Sequence, residues 1–133
     1  MNRNLTFAVA LAVGAAMTLI AAAEQDHVQW MKSIQKASGS LKKGIEAKDA
    51  DAKDAKTLAS SFKTIGAFYS DRNMADAVKV SKDAESAAGD LEAAVTAKDY
   101  EKAAVSLKAV MGSCMGCHKV HREKLEDGTY KIK

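Results

Sequence analysis

The sequence contains no proline, and aromatic residues make up only 5% of its 133 residues. Because proline is the residue that interrupts helices most strongly, its absence allows long helices throughout the chain. The scarcity of aromatic residues argues against a sandwich or a barrel, whose strands favour them. The chain is instead rich in Ala, Lys, Asp and Glu, and three of these four are good helix formers. Composition and length therefore predict one all-α domain.

The first 23 residues have the pattern of a cleavable secretory signal peptide. Arg3 supplies a positive charge, residues 5–20 are apolar, and Ala21–Ala23 are small residues of the kind found before a cleavage site. We expect cleavage after Ala23, which leaves residues 24–133 as the mature domain with no membrane attachment. The alternative is a retained membrane anchor, which the short apolar core and the small residues disfavour.

The charges of the chain are interleaved. The 20 basic and 17 acidic side chains alternate over short distances, as in the stretch KDADAKDAK at residues 48–56. Mixing of this kind is typical of the solvent-exposed face of a helix, whereas proteins that bind nucleic acids cluster their basic residues. We therefore expect no nucleic-acid partner.

Four segments of the mature chain place apolar residues three, four or seven positions apart, which is the pattern of a helix with one buried face. They cover roughly residues 25–48, 50–70, 74–98 and 100–127. Four amphipathic helices of this length with short connections bury their apolar faces most simply as an antiparallel four-helix bundle.

A repeated pattern and a few polar residues mark the ends of these helices. Leu-x-x-x-Ile/Val-x-Ala-Lys-Asp occurs at residues 41–49 and again at 91–99, which predicts that a helix ends and the chain reverses at both places. Asp26 is the expected N-cap of the first helix, and Asp49 or Asp51 precedes the second. Gly128 is expected to end the fourth helix.

The chemistry of the chain is concentrated in the segment Cys114-Met115-Gly116-Cys117-His118, which contains both cysteines of the sequence. C-x-x-C-H is the attachment signature of a c-type haem. On a helix, positions i, i+3 and i+4 share a face, so both thiols and the imidazole point toward one side. We predict one covalently attached haem c, with thioether bonds to Cys114 and Cys117 and with His118 as the proximal iron ligand.

Periodicity predicts that this motif lies on the face of the last helix that is turned toward the bundle interior. The predicted stripe consists of residues three or four apart, namely Ala104, Leu107, Met111, Cys114, His118, His121 and Leu125. A haem attached there would lie inside the bundle.

Three other interpretations of the cysteines remain open. A C-x-x-C pair can carry out thiol–disulfide exchange, but such pairs normally stand at a helix start in an α/β fold. Cys114, Cys117, His118 and His121 could bind zinc, although four ligands from one helix cannot surround a metal tetrahedrally. A disulfide between residues three apart on a helix would be strained.

Together, the signal peptide, the Ala-rich four-helix pattern, the early Met31-Lys32 pair and the C-x-x-C-H motif about 15 residues from the C-terminus resemble the class II cytochromes c. This is the cytochrome c′ family with its low-spin relatives. The resemblance covers essentially the whole mature chain. It implies the cytochrome c′ type of four-helix bundle, a periplasmic location, and a monomer or weak homodimer.

The residues after the motif also follow the family pattern, with one departure. In the family, C-x-x-C-H continues to an aromatic residue and an arginine. Here His121 stands at the aromatic position and Arg122 at the arginine position. The resemblance implies that Arg122 lies close to the proximal imidazole at the haem edge.

The sixth iron ligand distinguishes the functions that the resemblance implies. Met31 matches the position that faces the distal side of the haem, and Met/His ligation raises the reduction potential of a c-type cytochrome. With Met31 bound, the protein is expected to be a one-electron carrier for periplasmic redox proteins, and not an enzyme. With no residue bound, five-coordinate iron would take up a small gas such as NO or CO.

His27 is a second candidate near the distal side, because it lies one helical turn before Met31. The family commonly has an arginine at this position, near the haem propionates, so the resemblance implies a contact between His27 and the haem edge. His27 can also replace Met31 as the iron ligand. Outside the haem proteins, the remaining alternative is a helical module for thiol redox chemistry or metal binding.

Overall fold

The computed structural model describes the backbone of residues 3–133 and the side chains from Ala23 onward. Its helices and strands, in chain order, are α1 (Arg3–Glu46), α2 (Ala52–Ser70), α3 (Ala75–Thr96), α4 (Tyr100–His121), β1 (Arg122–Lys124) and β2 (Tyr130–Ile132). Consecutive helices are joined by short turns and pack against each other. The prediction of an all-α four-helix bundle is confirmed.

The predicted signal peptide lies, apart from Ala23, outside the side chains that the structure describes, so cleavage after Ala23 stays a prediction. Over the described part of the chain, none of the helices combines the length and the apolar character needed to cross a membrane.

Aliphatic residues from all four helices form the core. The largest side chains that are completely buried are Leu41, Leu58, Ile65, Leu91 and Val110. Fully buried alanines alternate with them on α2, α3 and α4, and the small alanine side chain lets the helix backbones approach closely.

The same turn ends the first three helices. In each turn one residue other than glycine adopts the left-handed conformation: Lys48 (φ 57°), Asn73 (φ 56°) and Lys98 (φ 57°). The amide of the following residue then donates back to a carbonyl of the last helical turn, as from Asp49 to Gly44 at 2.7 Å. This is the Schellman arrangement of a helix C-terminus.

The two copies of the repeated pattern both end in this turn, so the chain reversals predicted at residues 41–49 and 91–99 are confirmed. The amide of Asp99 donates to the Ala94 carbonyl at 2.9 Å, which corresponds to the Asp49 bond in the first copy. Of the two candidates for the start of α2, Asp51 is the N-cap, and its carboxylate accepts a hydrogen bond from the Lys53 amide at 2.8 Å.

Two predicted helix ends were wrong. Asp26 is not an N-cap, because α1 already begins at Arg3 and runs through that position. The fourth helix ends at His121 and not near residue 127, and the chain continues as an antiparallel hairpin in which Arg122 pairs with Ile132. Gly128 (φ 84°) lies in the hairpin turn.

Local interactions explain why the C-terminal segment leaves the helix. The Asp127 carboxylate accepts hydrogen bonds from the amide of Thr129 at 2.9 Å and from its hydroxyl at 2.6 Å. Short polar side chains that bond to nearby backbone amides favour turns over helices. Across the hairpin, the Arg122 guanidinium lies 4.1 Å from the centre of the Tyr130 ring, which holds the two strands together.

Candidate functional site

The cysteine motif lies in the second half of α4, with its reactive atoms on the side of the helix that faces the bundle. Cys114, Cys117 and His118 are all half-buried, and both cysteines are free thiols that pack against the core. The structure therefore brings the three residues of the motif onto one face of α4.

The buried stripe of α4 is rotated slightly from the predicted one. Ala104 and Met111 are exposed, and Leu125 belongs to the hairpin. The fully buried positions are Ala103 and Val110, one residue before the predicted positions in each case. The predicted stripe is therefore wrong at these places, whereas Leu107 is buried as expected.

The environment of the thiols does not favour disulfide exchange. Burial raises the pKa of Cys114, and the nearby Cys117 adds to this. Burial also raises the pKa of Cys117, although the nearby Tyr69 hydroxyl partly offsets the effect. Thiols that carry out exchange have a lowered pKa, because the thiolate is the nucleophile. Both thiols here are protonated at neutral pH.

The imidazole of His118 is suited to bind a metal ion. Burial lowers its pKa, and the positive charge of Arg122 lowers it further, so the ring is neutral and keeps a free lone pair. His118 lines a surface cavity of about 410 Å³ together with Met115, Gly116, Lys119 and Arg122. Arg122 thus lies beside the proximal position, on the first residue of β1.

His27 lies deep between α1 and α2, with only 8% of its surface exposed. Its Nε2 atom is 3.1 Å from the Tyr69 hydroxyl, and its ring centre is 4.8 Å from that of Phe68. Burial lowers the pKa of His27 to about 4, and the charges of Arg72 and His118 act in the same direction. The ring is therefore neutral over the physiological pH range.

Met31 is half-buried on α1 and packs against the core. The neighbouring Trp30 lies edge-on to Phe68 of α2, with the ring centres 5.8 Å apart, so this flank of α1 faces α2. Viewed down a helix axis, successive residues are about 100° apart. In this view of α1, the buried residues His27 and Ile34 lie in the middle, with Trp30 on one flank and Met31 on the other. Met31 therefore lies on the flank of α1 that borders α4.

The contact between α1 and α4 is the least extensive of those between neighbouring helices, so this seam of the bundle is comparatively open. Ser38 lies two helical turns after Met31 on the same flank of α1. Among the described side chains, its Oγ is the buried polar atom for which no hydrogen-bond partner is present. The seam has Met31 on its α1 side, and His118 of α4 lies close enough to α1 to influence the pKa of His27.

Several residues of this region were not predicted as site residues. The sequence predicted no site role for Phe68, Tyr69 or Arg72. The Arg72 guanidinium lies 3.6 Å from the centre of the Phe68 ring, which places a positive charge next to His27. The weak signal in the sequence was the pairing of two of its few aromatic residues at positions 68 and 69.

His121 is held away from the motif by partners of its own. Its Nε2 atom is 2.8 Å from an Asp76 carboxylate oxygen at the start of α3, and its Nδ1 atom is 3.4 Å from the Lys133 carbonyl. Within residues 23–133, no three His, Cys, Asp or Glu side chains are grouped as a metal ion would require. The zinc alternative thus gains no support from the geometry.

The arrangement fits a covalently bound haem by the chemistry of its donors. Two free thiols and one neutral imidazole lie on a single helix face, three and four residues apart, beside a cavity and an open seam. A thioether sulfur, that of Met31, borders the same seam from α1. These are the atoms that a c-type haem needs for two covalent bonds and for its axial ligands.

The fold is similar to that of a solved cytochrome. The crystal structure of cytochrome c′ from Thermochromatium tepidum matches with a TM-score of 0.63 and 17% sequence identity, over 84% of this chain and 95% of that chain. No protein-family model matches the sequence, and the comparison with curated protein sequences gives no match. The chain therefore has the four-helix-bundle fold of cytochrome c′.

Proposed function

We propose that this chain is an exported c-type cytochrome that carries one haem and transfers single electrons between periplasmic redox proteins. The observation that supports this most strongly is the placement of Cys114, Cys117 and His118 on one bundle-facing side of α4. The similarity of the fold to a cytochrome c′ adds to the support.

Each residue of the site has a distinct part in this proposal. Cys114 and Cys117 hold the haem through two thioether bonds, and His118 binds its iron from the proximal side. Met31 binds from the distal side. When bound, the haem supplies an iron centre that gains or loses one electron. Arg122, beside His118, and His27, on α1, lie at the haem edge.

The electron-carrier role is favoured over a gas-binding role by the position of Met31. Its side chain borders the α1–α4 seam and is half-buried, so a thioether is available on the distal side. If Met31 binds the haem iron, it would occupy the position that NO or CO needs, and the haem would then serve electron transfer. We further propose that the protein is a monomer or weak homodimer, and that it has no enzymatic activity of its own.

An optical spectrum of the purified protein tests the proposal. The full chain is expressed with the machinery that attaches haem c, and its mass and its reduced spectrum are recorded. We expect the mass to increase by one haem, and we expect a Soret band with sharp α and β bands. Absence of a Soret band would contradict the cytochrome proposal as a whole.

Two methionine variants test the ligand. Met31→Ala should become high-spin and bind CO on reduction, whereas Met74→Ala should keep the wild-type spectrum. Met74 is a suitable control because it is also half-buried and packs against the core, but it lies at the start of α3. A wild-type protein with a broad high-spin spectrum would favour the gas-binding alternative.

A further inference from the structure

His27 and Met31 are both candidates for the distal ligand of the haem iron. They are four residues apart on α1, so their side chains lie on adjacent turns of the same helix face. Both side chains are chemically able to bind haem iron: the imidazole through a nitrogen lone pair and the thioether through sulfur. A contact in the structure should therefore determine which of the two side chains binds the iron.

The orientation of the His27 ring is fixed by three aromatic neighbours. Its centre lies 4.8 Å from that of Phe68, 5.7 Å from that of Tyr69 and 6.4 Å from that of Trp30. Tyr69 is 2% exposed and His27 is 8% exposed, so water has little access to either polar group. Leaving this environment would cost the imidazole both its packing and its hydrogen bond.

The protonation states of the two groups allow the hydroxyl to donate. Burial raises the pKa of Tyr69 well above its usual range, so the side chain stays a phenol and has a proton to donate. His27 is neutral at physiological pH, since its pKa is lowered to about 4. The Tyr69 hydroxyl and Nε2 are 3.1 Å apart, and the hydroxyl donates to Nε2 when the proton of the neutral imidazole is on Nδ1.

We propose that the Tyr69 hydroxyl donates to Nε2 of His27, that it keeps His27 off the haem iron by occupying this lone pair, and that it thereby leaves the distal position to Met31. The inference rests on the proposed function, because it needs a haem in the α1–α4 seam. Tyr69 acts here as a positioning residue: it contacts His27 and selects the ligand through it. Nδ1 carries a proton in this arrangement and has no lone pair for a metal ion.

Removal of the Tyr69 hydroxyl tests the inference. Tyr69→Phe keeps the aromatic packing and removes the donor, so Nε2 of His27 becomes free. In the haem-loaded protein, we expect the spectrum to change to that of iron bound by two histidines and the reduction potential to fall, since Met/His ligation is the arrangement that raises it. Tyr100→Phe, a half-buried tyrosine at the start of α4, is the matched control and should change neither quantity.

A second variant separates ligand selection from a structural effect. In Tyr69→Phe combined with His27→Gln, no histidine is available on α1, so the spectrum should return to that of iron bound by methionine and histidine, and the potential should rise above that of the single variant. A purely structural role of Tyr69 would leave the double variant as perturbed as the single one. An unchanged spectrum and potential in Tyr69→Phe would overturn the inference and leave the cytochrome proposal standing.

The wild-type protein provides a measurement that does not depend on the folding of any variant. Nitrogen NMR of the histidine rings should show that His27 carries its proton on Nδ1 and that Nε2 accepts a hydrogen bond. A proton on Nε2 would overturn the inference. So would a wild-type spectrum of iron bound by two histidines, which would still support a c-type cytochrome. A chain that takes up no haem would overturn both proposals.

Discussion

The two ends of the bundle differ in the side chains that fill their interiors. At the turn end, where α1 meets α2 and α3 meets α4, the interior is aliphatic, and Leu41, Leu58 and Leu91 are completely buried. At the site end, where α2 meets α3, the interior contains His27, Tyr69 and several aromatic rings. Cys114, Cys117 and His118 of α4 are only half-buried there.

The turn end therefore contributes mainly to stability, whereas the site end contains the residues proposed to bind the haem. The leucines of the turn end contribute through burial of apolar surface, which requires no partner of particular geometry. The polar groups of the site end are costly to bury unless each has a hydrogen-bond partner, and the pair of His27 and Tyr69 meets this condition. We therefore expect substitutions at the two ends to affect different measurements.

The largest expected effect is the loss of the cofactor. Cys114→Ser combined with Cys117→Ser removes both thiols, so no covalent haem can form, and the increase in mass and the Soret band should disappear completely. The turn end does not contain these residues, so the far-ultraviolet circular dichroism should remain that of a helical protein. Met115→Ala is the control on the same turn of α4, because Met115 is 72% exposed and should keep the haem.

This double variant also tests whether the turn end folds independently of the site end. If it unfolds over the whole chain, as seen from a loss of helical circular dichroism at 25 °C, then the haem is required for the turn end as well. The bundle would in that case be one cooperative unit that forms only with its cofactor.

A leucine in the core should give the next largest effect. Leu91→Ala leaves a cavity at a position with no exposed surface, and such substitutions cost about 2–5 kcal/mol of the free energy of unfolding. Leu125→Ala is the matched control, because Leu125 in the hairpin is 36% exposed and should cost less than about 1 kcal/mol. Denaturant titrations of the three proteins measure both values.

Leu91→Ala should leave the optical spectrum of the haem unchanged, because Leu91 lies at the turn end. A shift of the α band in Leu91→Ala comparable to that caused by a substitution of Met31 would show that packing at the turn end also determines the coordination of the iron.

The sequence predicted those features that depend on neighbouring residues. Helix periodicity, the repeated turn at residues 41–49 and 91–99, and the face shared by Cys114, Cys117 and His118 are all set within a few positions of the chain. The hairpin was missed although its signal is local, since Gly128 was interpreted as a helix stop and not as part of a strand-to-strand turn.

The remaining features depend on tertiary packing. Ala103 and Ala104 are identical in chemistry, so periodicity alone could not tell which of them faces the core. The hydrogen bond between His27 and Tyr69 joins residues 42 positions apart, and it forms only once α1 and α2 have packed. No pattern along the chain indicates that these two side chains meet.

The pH dependence of stability should come mainly from the site end. The pKa of His27 is 6.5 in the unfolded chain and about 4 in the folded protein. As the pH falls below about 6.5, the unfolded state takes up a proton that the folded state does not, so stability is complete above pH 6.5 and is lost progressively down to about pH 4. The loss should be on the order of 2–3 kcal/mol.

His27→Gln isolates this contribution, since glutamine does not titrate. The difference in the free energy of unfolding between pH 7.5 and pH 4.5 should be smaller in the variant than in the wild type. His118 also has a lowered pKa, and it is present in both proteins, so it does not contribute to the comparison. Equal pH dependence in the two proteins would show that His27 takes up its proton in the folded state as readily as in the unfolded one.

The smallest expected effect is a gain of stability at the turn end. Lys98 ends α3 in the left-handed conformation, with φ at 57°, where a side chain with a Cβ atom is strained and glycine is not. Lys98→Gly should therefore raise the free energy of unfolding by up to about 1 kcal/mol without any change in the haem spectrum. Lys98→Ala is the control, because it removes the charge and keeps the Cβ atom. If alanine stabilises as much as glycine, the gain comes from the loss of the lysine charge and not from relief of the backbone.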